Sequence, residues 1–189
     1  MLKAIEVEYD GYLSRLETRW AIFLATLGVK HEYKARGYVL DGVRYFPTFW
    51  LPELDCFLDV CLAKPGIPSD IELLVERTRK AVYVFFGDIP LPTLRNDPLW
   101  VKKRSWYEMV PESDSAHMYN WLEGHGFCMD YPYWWCECPL CRKVGIEYSG
   151  CSERLCHCYG ENADHGNNYA SPRLLEAYRA AHSASFGYG

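Results

Sequence analysis

The sequence predicts a mixed α/β (α+β) fold: a layer ordered helix, three strands, helix, strand, followed by a small cysteine-held module and a closing helix. Three observations predict it. Residues 13–27 carry an apolar stripe at helical spacing, ended by Gly28. Residues 56–86 place a capped helix between two apolar runs, and six of the nine cysteines crowd into 136–158. A chain of 189 residues can bury one good core with a small appendage. The expected organisation is a core over 1–92, an aromatic irregular connection over 93–135, a cysteine module over 136–160, and a helix with its tail over 161–189.

In the first helix, Leu13, Leu16, Trp20, Phe23, Leu24 and Leu27 form one stripe, and Glu17 falls inside it. Two readings of Glu17 stand side by side. In one it closes a capping box, reaching back to the amide of an N-cap Ser14. In the other it points at the sheet and joins Asp59. Residues 31–40 and 43–51 read as hairpin arms around Asp41-Gly42, a strong turn signal. Period-two alternation puts Thr48 on a face with Phe46 and Trp50, as an ordinary β-branched strand residue.

The next strand, 56–62, is apolar except for Asp59. A carboxylate in such a strand is costly unless a metal, a cation or a hydrogen-bond cluster holds it, so Asp59 is the first candidate site residue. Ser69 and Glu72 form a second capping box, with Ile71, Leu74, Val75 and Thr78 on the inner stripe. Arg77, Arg79 and Lys80 suit the negative end of that helix. The run 81–86 has the composition of a central parallel strand, and strand, helix, strand implies a right-handed crossover.

Residues 91–135 show no sustained period. Lys102, Lys103 and Arg104 beside Trp100, Trp106 and Tyr107 read first as a solvated loop edge, and second as a patch able to hold a nucleic-acid backbone. The net charge of −5 gives no bulk attraction to polyanions, so any nucleic-acid binding needs such a local cluster. The acids near the N-terminus and the lack of a long apolar run point to a cytoplasmic protein with no membrane partner and reduced thiols.

Cys138-Pro139-Leu140-Cys141, a short strand over 144–149 and a second thiol pair follow zinc-ribbon logic: four soft ligands in a closed tetrahedron. The expected ligands of a structural Zn²⁺ are Cys138, Cys141, Cys156 and Cys158, with Cys136, Cys151, His157 and His165 as alternatives for the second pair. A deaminase zinc is excluded, because no His-x-Glu precedes the Cys-Pro-x-Cys. Ser171-Pro172 opens the closing helix over 173–182.

The frame around Pro47-Thr48-Phe49-Trp50-Leu51-Pro52 and Asp59-Val60-Cys61 resembles the PD-(D/E)XK nuclease superfamily, with its restriction-endonuclease-like core, over residues 14–90. Similar phage proteins also carry a cysteine knuckle and a closing helix. The resemblance implies a degenerate site. Thr48 stands where the family has its metal-binding Asp, and Cys61 where it has the catalytic Lys. It also implies that Glu17 and Asp59 would hold Mg²⁺ or Mn²⁺ in an active enzyme, with Lys64 supplying the ammonium if 61–63 form a bulge. The expectation is a lapsed nuclease acting as a binding module for nucleic acid, a nucleotide or a protein, as in phage counter-defence. The alternative is an active Mg²⁺-dependent endonuclease with catalytic Glu17, Asp59 and Lys64, and a third reading makes the zinc module an assembly device. The oligomeric state is left open, a dimer being one expectation.

Overall fold

A computed structural model describes residues 13–34, 37–62, 69–89, 116–122, 125–148, 156, 158 and 168–185. Its elements run α1 (Arg15–Leu27), β1 (Glu32–Tyr33), β2 (Tyr38–Leu40), β3 (Val43–Tyr45), β4 (Phe49–Leu51) and β5 (Cys56–Cys61). They continue with α2 (Ser69–Thr78), β6 (Ala81–Phe86), β7 (Ala116–Leu122), β8 (His125–Glu137), β9 (Val144–Tyr148) and α3 (Pro172–Ser183). The architecture is mixed α/β. Seven strands form one sheet in the order β1-β4-β5-β6-β7-β8-β9, and β2 and β3 form a separate ribbon.

α1 forms because both of its ends are satisfied. The Ser14 hydroxyl accepts the Glu17 amide at 3.2 Å, and Glu17 Oε2 accepts the Ser14 amide at 2.7 Å. At the other end Gly28 turns left-handed at φ 73°, and its amide donates to Ala25 O at 3.0 Å. Leu13 precedes the helix and is exposed, so the buried stripe begins at Leu16.

The expected hairpin turns at Asp41 and Gly42, with φ of 48° and 89°, the left-handed pair that a tight two-residue turn requires. Its arms are not the continuous strands expected over 31–40 and 43–51. They break between Tyr33 and Tyr38 and between Tyr45 and Phe49, so β1 and β4 join the main sheet while β2 and β3 leave it. The Phe46 ring lies where a Cβ on Gly37 would sit, and Pro47 has no amide for a ladder, which accounts for the break.

β5 and β6 are parallel, Cys56 opposite Ala81 through Cys61 opposite Phe86, as the strand, helix, strand order requires. Two apolar layers cover the sheet. Leu58, Val60 and Phe85 pack with Trp20, Phe23 and Leu24 of α1 and with Leu174, Ala177 and Tyr178 of α3. Phe57, Val82 and Val84 pack on the opposite face with Leu40 and with Ile71, Leu74 and Val75 of α2. The Phe23 and Tyr178 rings, 4.5 Å apart, join α1 to α3.

The largest departure lies in 93–135, expected to be irregular. β7 and most of β8 fall there as an antiparallel hairpin that extends the sheet beyond β6. Tyr133, Trp134, Trp135 and Cys136 are buried in succession, so no inside-outside alternation marks the strand. The expected boundary at 136 falls within β8, and β9 is the last strand of the same sheet rather than part of a separate unit. Among the described residues no helix is long and apolar enough to cross a membrane.

Candidate metal centre

β8 delivers its last residues into a tight turn. The Cys138 amide donates to Lys143 O at 2.8 Å, and the Arg142 amide donates back to Cys138 O at 3.0 Å. Arg142 takes a left-handed φ of 64°, which lets six residues, 138–143, fold the chain back into β9. The turn aims the Cys141 amide at Cys138 Sγ, 3.5 Å away.

Into this turn come Cys156 and Cys158. The sulfurs of Cys138, Cys141, Cys156 and Cys158 all lie within 4.8 Å of one another, a group that can hold a metal ion. Cys156 Sγ lies 3.2 Å from Cys138 Sγ and 3.3 Å from Cys141 Sγ. A tetrahedral site with metal–sulfur bonds near 2.3 Å has sulfurs about 3.8 Å apart, so the group needs only small adjustments to close on an ion. Four sulfur donors select a soft or borderline metal over Mg²⁺ or Ca²⁺.

Hydrogen bonds within the group move the Cys138 and Cys158 thiols in opposite directions. Burial raises the Cys138 pKa, but donation from the Cys141 amide, the Cys156 thiol and the Leu140 amide outweighs it and brings the thiol down to about 6. Its hydrogen bonds with Cys156 and Cys141 push Cys158 up to about 12. Cys136 is excluded from the group. It is buried within the sheet, and burial holds its thiol well above the ordinary range. Cys151, His157 and His165 lie outside the described residues.

Asp59 has the opposite character. Its carboxylate accepts hydrogen bonds from the hydroxyls of Tyr45 and Thr48 and, at 3.0 Å, from the Val60 amide. The hydrogen-bond cluster that a mid-strand carboxylate needs is therefore present. Thr48, one residue before β4, meets Asp59, as the pairing of Phe49 with Leu58 places them. Cys61 stands on the same face, its thiol raised to about 11 by burial and by the Asp59 charge, so it stays neutral. Burial and the Asp59 carboxylate likewise hold the Tyr45 hydroxyl well above its usual pKa, as a donor.

Glu17 is not brought to Asp59. By alternation Asp59 shares the face of Phe57 and Cys61, which pack toward α2, whereas α1 covers the opposite face. Besides its cap, Glu17 accepts from the Tyr33 hydroxyl at 3.3 Å and pairs with Lys34 Nζ at 3.1 Å. The capping reading of Glu17 holds, and the inward-pointing reading places it on the wrong side of the sheet. Lys64 and the cluster Lys102, Lys103 and Arg104 lie outside the described residues, as does the N-cap side chain of Ser69.

Sequence reasoning passed over Glu137. Its carboxylate is 1% exposed, with Arg142 Nε 2.5 Å away and Arg173 Nη1 at 3.9 Å. An acid between two cysteines at a strand end, with an arginine just past the knuckle, was the available signal. Comparison with protein-family models, with curated proteins and with solved structures returned no match.

Proposed function

We propose that the chain is a non-hydrolytic binding protein, built on a degenerate PD-(D/E)XK-type core and stapled by one structural Zn²⁺ on Cys138, Cys141, Cys156 and Cys158. The observation that carries the reading is the state of Asp59: three donors occupy its carboxylate, and Glu17 sits over the other face of the sheet. Catalysis by two-metal or one-metal phosphodiester hydrolysis needs carboxylates free to take Mg²⁺. The cysteine group supports zinc by donor type and spacing, since thiolates in a closed tetrahedral set are its commonest structural site. The zinc would hold the 138–142 turn against the segment that carries Cys156 and Cys158, with no part in chemistry.

The partner is a nucleic acid, a nucleotide or a protein in the cytoplasm of a bacterial or phage-infected cell. The resemblance favours nucleic acid, and the charge of −5 sets against it any tight, non-specific attraction. The test is incubation of zinc-loaded protein with single- and double-stranded DNA and RNA in Mg²⁺ or Mn²⁺. The reading expects no cleavage, and a salt-sensitive mobility shift if the ligand is a nucleic acid. Metal-dependent cleavage abolished by Asp59→Ala would establish the alternative, an active endonuclease with a rearranged site.

A further inference from the structure

We propose that Arg173 is the positioning residue of the metal centre, and that through it metal occupancy locks α3 onto the C-terminal end of α1. The inference rests on the metal reading above and goes beyond it. There the ion holds its own turn, and here it acts on helices that contribute no ligand.

Arg173 is the second residue of α3, yet its guanidinium serves three other elements. Nη2 donates to Leu27 O, the last residue of α1. Nη1 donates to Arg142 O at 3.3 Å, inside the knuckle turn, and lies 3.9 Å from the buried Glu137 carboxylate at the end of β8. A planar fork with fixed donor directions can satisfy carbonyls of two elements only if both hold still. The Leu27 carbonyl is also among the unsatisfied acceptors at the negative end of α1, where a cation is favoured. Gly28 gives the fork its room, because a Cβ there would lie 3.0 Å from Nη2.

The other end of the connection is the turn that carries Cys138 and Cys141. Arg142 closes that turn through its amide to Cys138 O and pairs with Glu137, whose own main chain is tied to Asn168 at 2.9 and 2.8 Å. An ion on the four sulfurs fixes the 138–142 turn, and with it the carbonyl that Arg173 grips. Coupling of this kind is reciprocal: what the metal does for the fork, the fork does for the metal.

The experiment compares metal affinity, by chelator competition, in wild type, Arg173→Met and Arg173→Lys, with amide hydrogen exchange in wild type with and without metal. Groups bonded directly to metal ligands typically change affinity about 10- to 100-fold. Arg173 acts one step further out through the Arg142 carbonyl, so each folded variant is expected at the low end, binding Zn²⁺ about 10-fold more weakly. Removing the metal from wild type should speed exchange at Gly28 and Val29, whose amides cap α1, relative to β5 amides. A residue that only packs the helices would lower stability and leave the metal affinity unmoved. Zn²⁺ bound as tightly by a folded variant as by wild type overturns the inference alone, as does unchanged Gly28 and Val29 exchange on metal removal. If wild type binds no Zn²⁺, the metal reading falls, and this inference with it.

Discussion

The turn at 138–142 and the strand around Asp59 each gather residue types that bind metals, but their local chemistry is opposite. At the turn, four sulfurs converge, and their hydrogen bonds are mainly with one another and with the backbone of their own turn. Around Asp59, one carboxylate is surrounded by two hydroxyls and an amide that match it as they stand. The first arrangement is one that can hold a metal ion, and in the second the carboxylate already accepts three hydrogen bonds. A candidate metal site is recognised by several ligand atoms that converge on one point, and an isolated acid in a strand is not enough.

The largest effect expected from this contrast is on stability when metal is stripped. With free Zn²⁺ at 1,000 times its Kd, chelation should remove about 4 kcal/mol, read by denaturant unfolding with and without chelator. Cys138→Ser with Cys141→Ser should lose the same amount and no longer respond to the chelator. A wild type indifferent to chelation would erase the contrast.

The contrast can also be reversed by design. Thr48→Asp places a second carboxylate where a hydroxyl now donates to Asp59, at an expected cost of about 2 kcal/mol without divalent ions. Mg²⁺ should restore that loss in a thermal melt, which it does not do for wild type. Adding Cys61→Lys should then give Mg²⁺-dependent cleavage of DNA. A folded double mutant with no gain in cleavage counts against the likeness at 48 and 61.

Smaller changes probe each residue's own partners. Asp59→Ala leaves the Tyr45 and Thr48 hydroxyls without their acceptor, and should cost about 1–2 kcal/mol while bound zinc stays the same. Glu17→Gln weakens a cap and an ion pair, about 1 kcal/mol at neutral pH. Burial raises the Glu17 pKa, but the hydrogen bonds with Ser14 and the Lys34 ammonium outweigh it, so the folded value is depressed. A depressed carboxylate stabilises above its unfolded pKa, and this contribution is lost as pH falls through the folded value. The difference between wild type and Glu17→Gln should therefore be steady at neutral pH and close in acid, as measured by unfolding at a series of pH values.

What the sequence made legible was local. The Ser14–Glu17 box, the Asp41-Gly42 turn and the knuckle each depend on residues within a few positions of one another, and each is present. Cys138 and Cys141 could be chosen from their Cys-Pro-x-Cys spacing. Cys156-x-Cys158 is tighter than a ribbon pair and left Cys136, Cys151, His157 and His165 as alternatives, so the convergence of these four sulfurs is visible only in three dimensions. β7 and β8 were not legible. Tyr133 and Trp135 face the α1 and α3 core while Trp134 packs on Tyr169, so both sides of the strand are apolar and the period-two signal vanishes. The side of the sheet that Glu17 faces was equally hidden, since a helical wheel gives a direction within the helix and no relation to Asp59. Arg173 was hidden for a related reason, because its partners Leu27 and Arg142 are distant in sequence.

The most direct test of the central claim is the metal content of three proteins by native mass spectrometry: wild type, Cys138→Ser with Cys141→Ser, and Asp59→Ala. The account predicts one Zn²⁺ per chain in wild type and in Asp59→Ala, and none in the cysteine variant. Zinc retained by the cysteine variant, or a metal lost on changing Asp59, would contradict it.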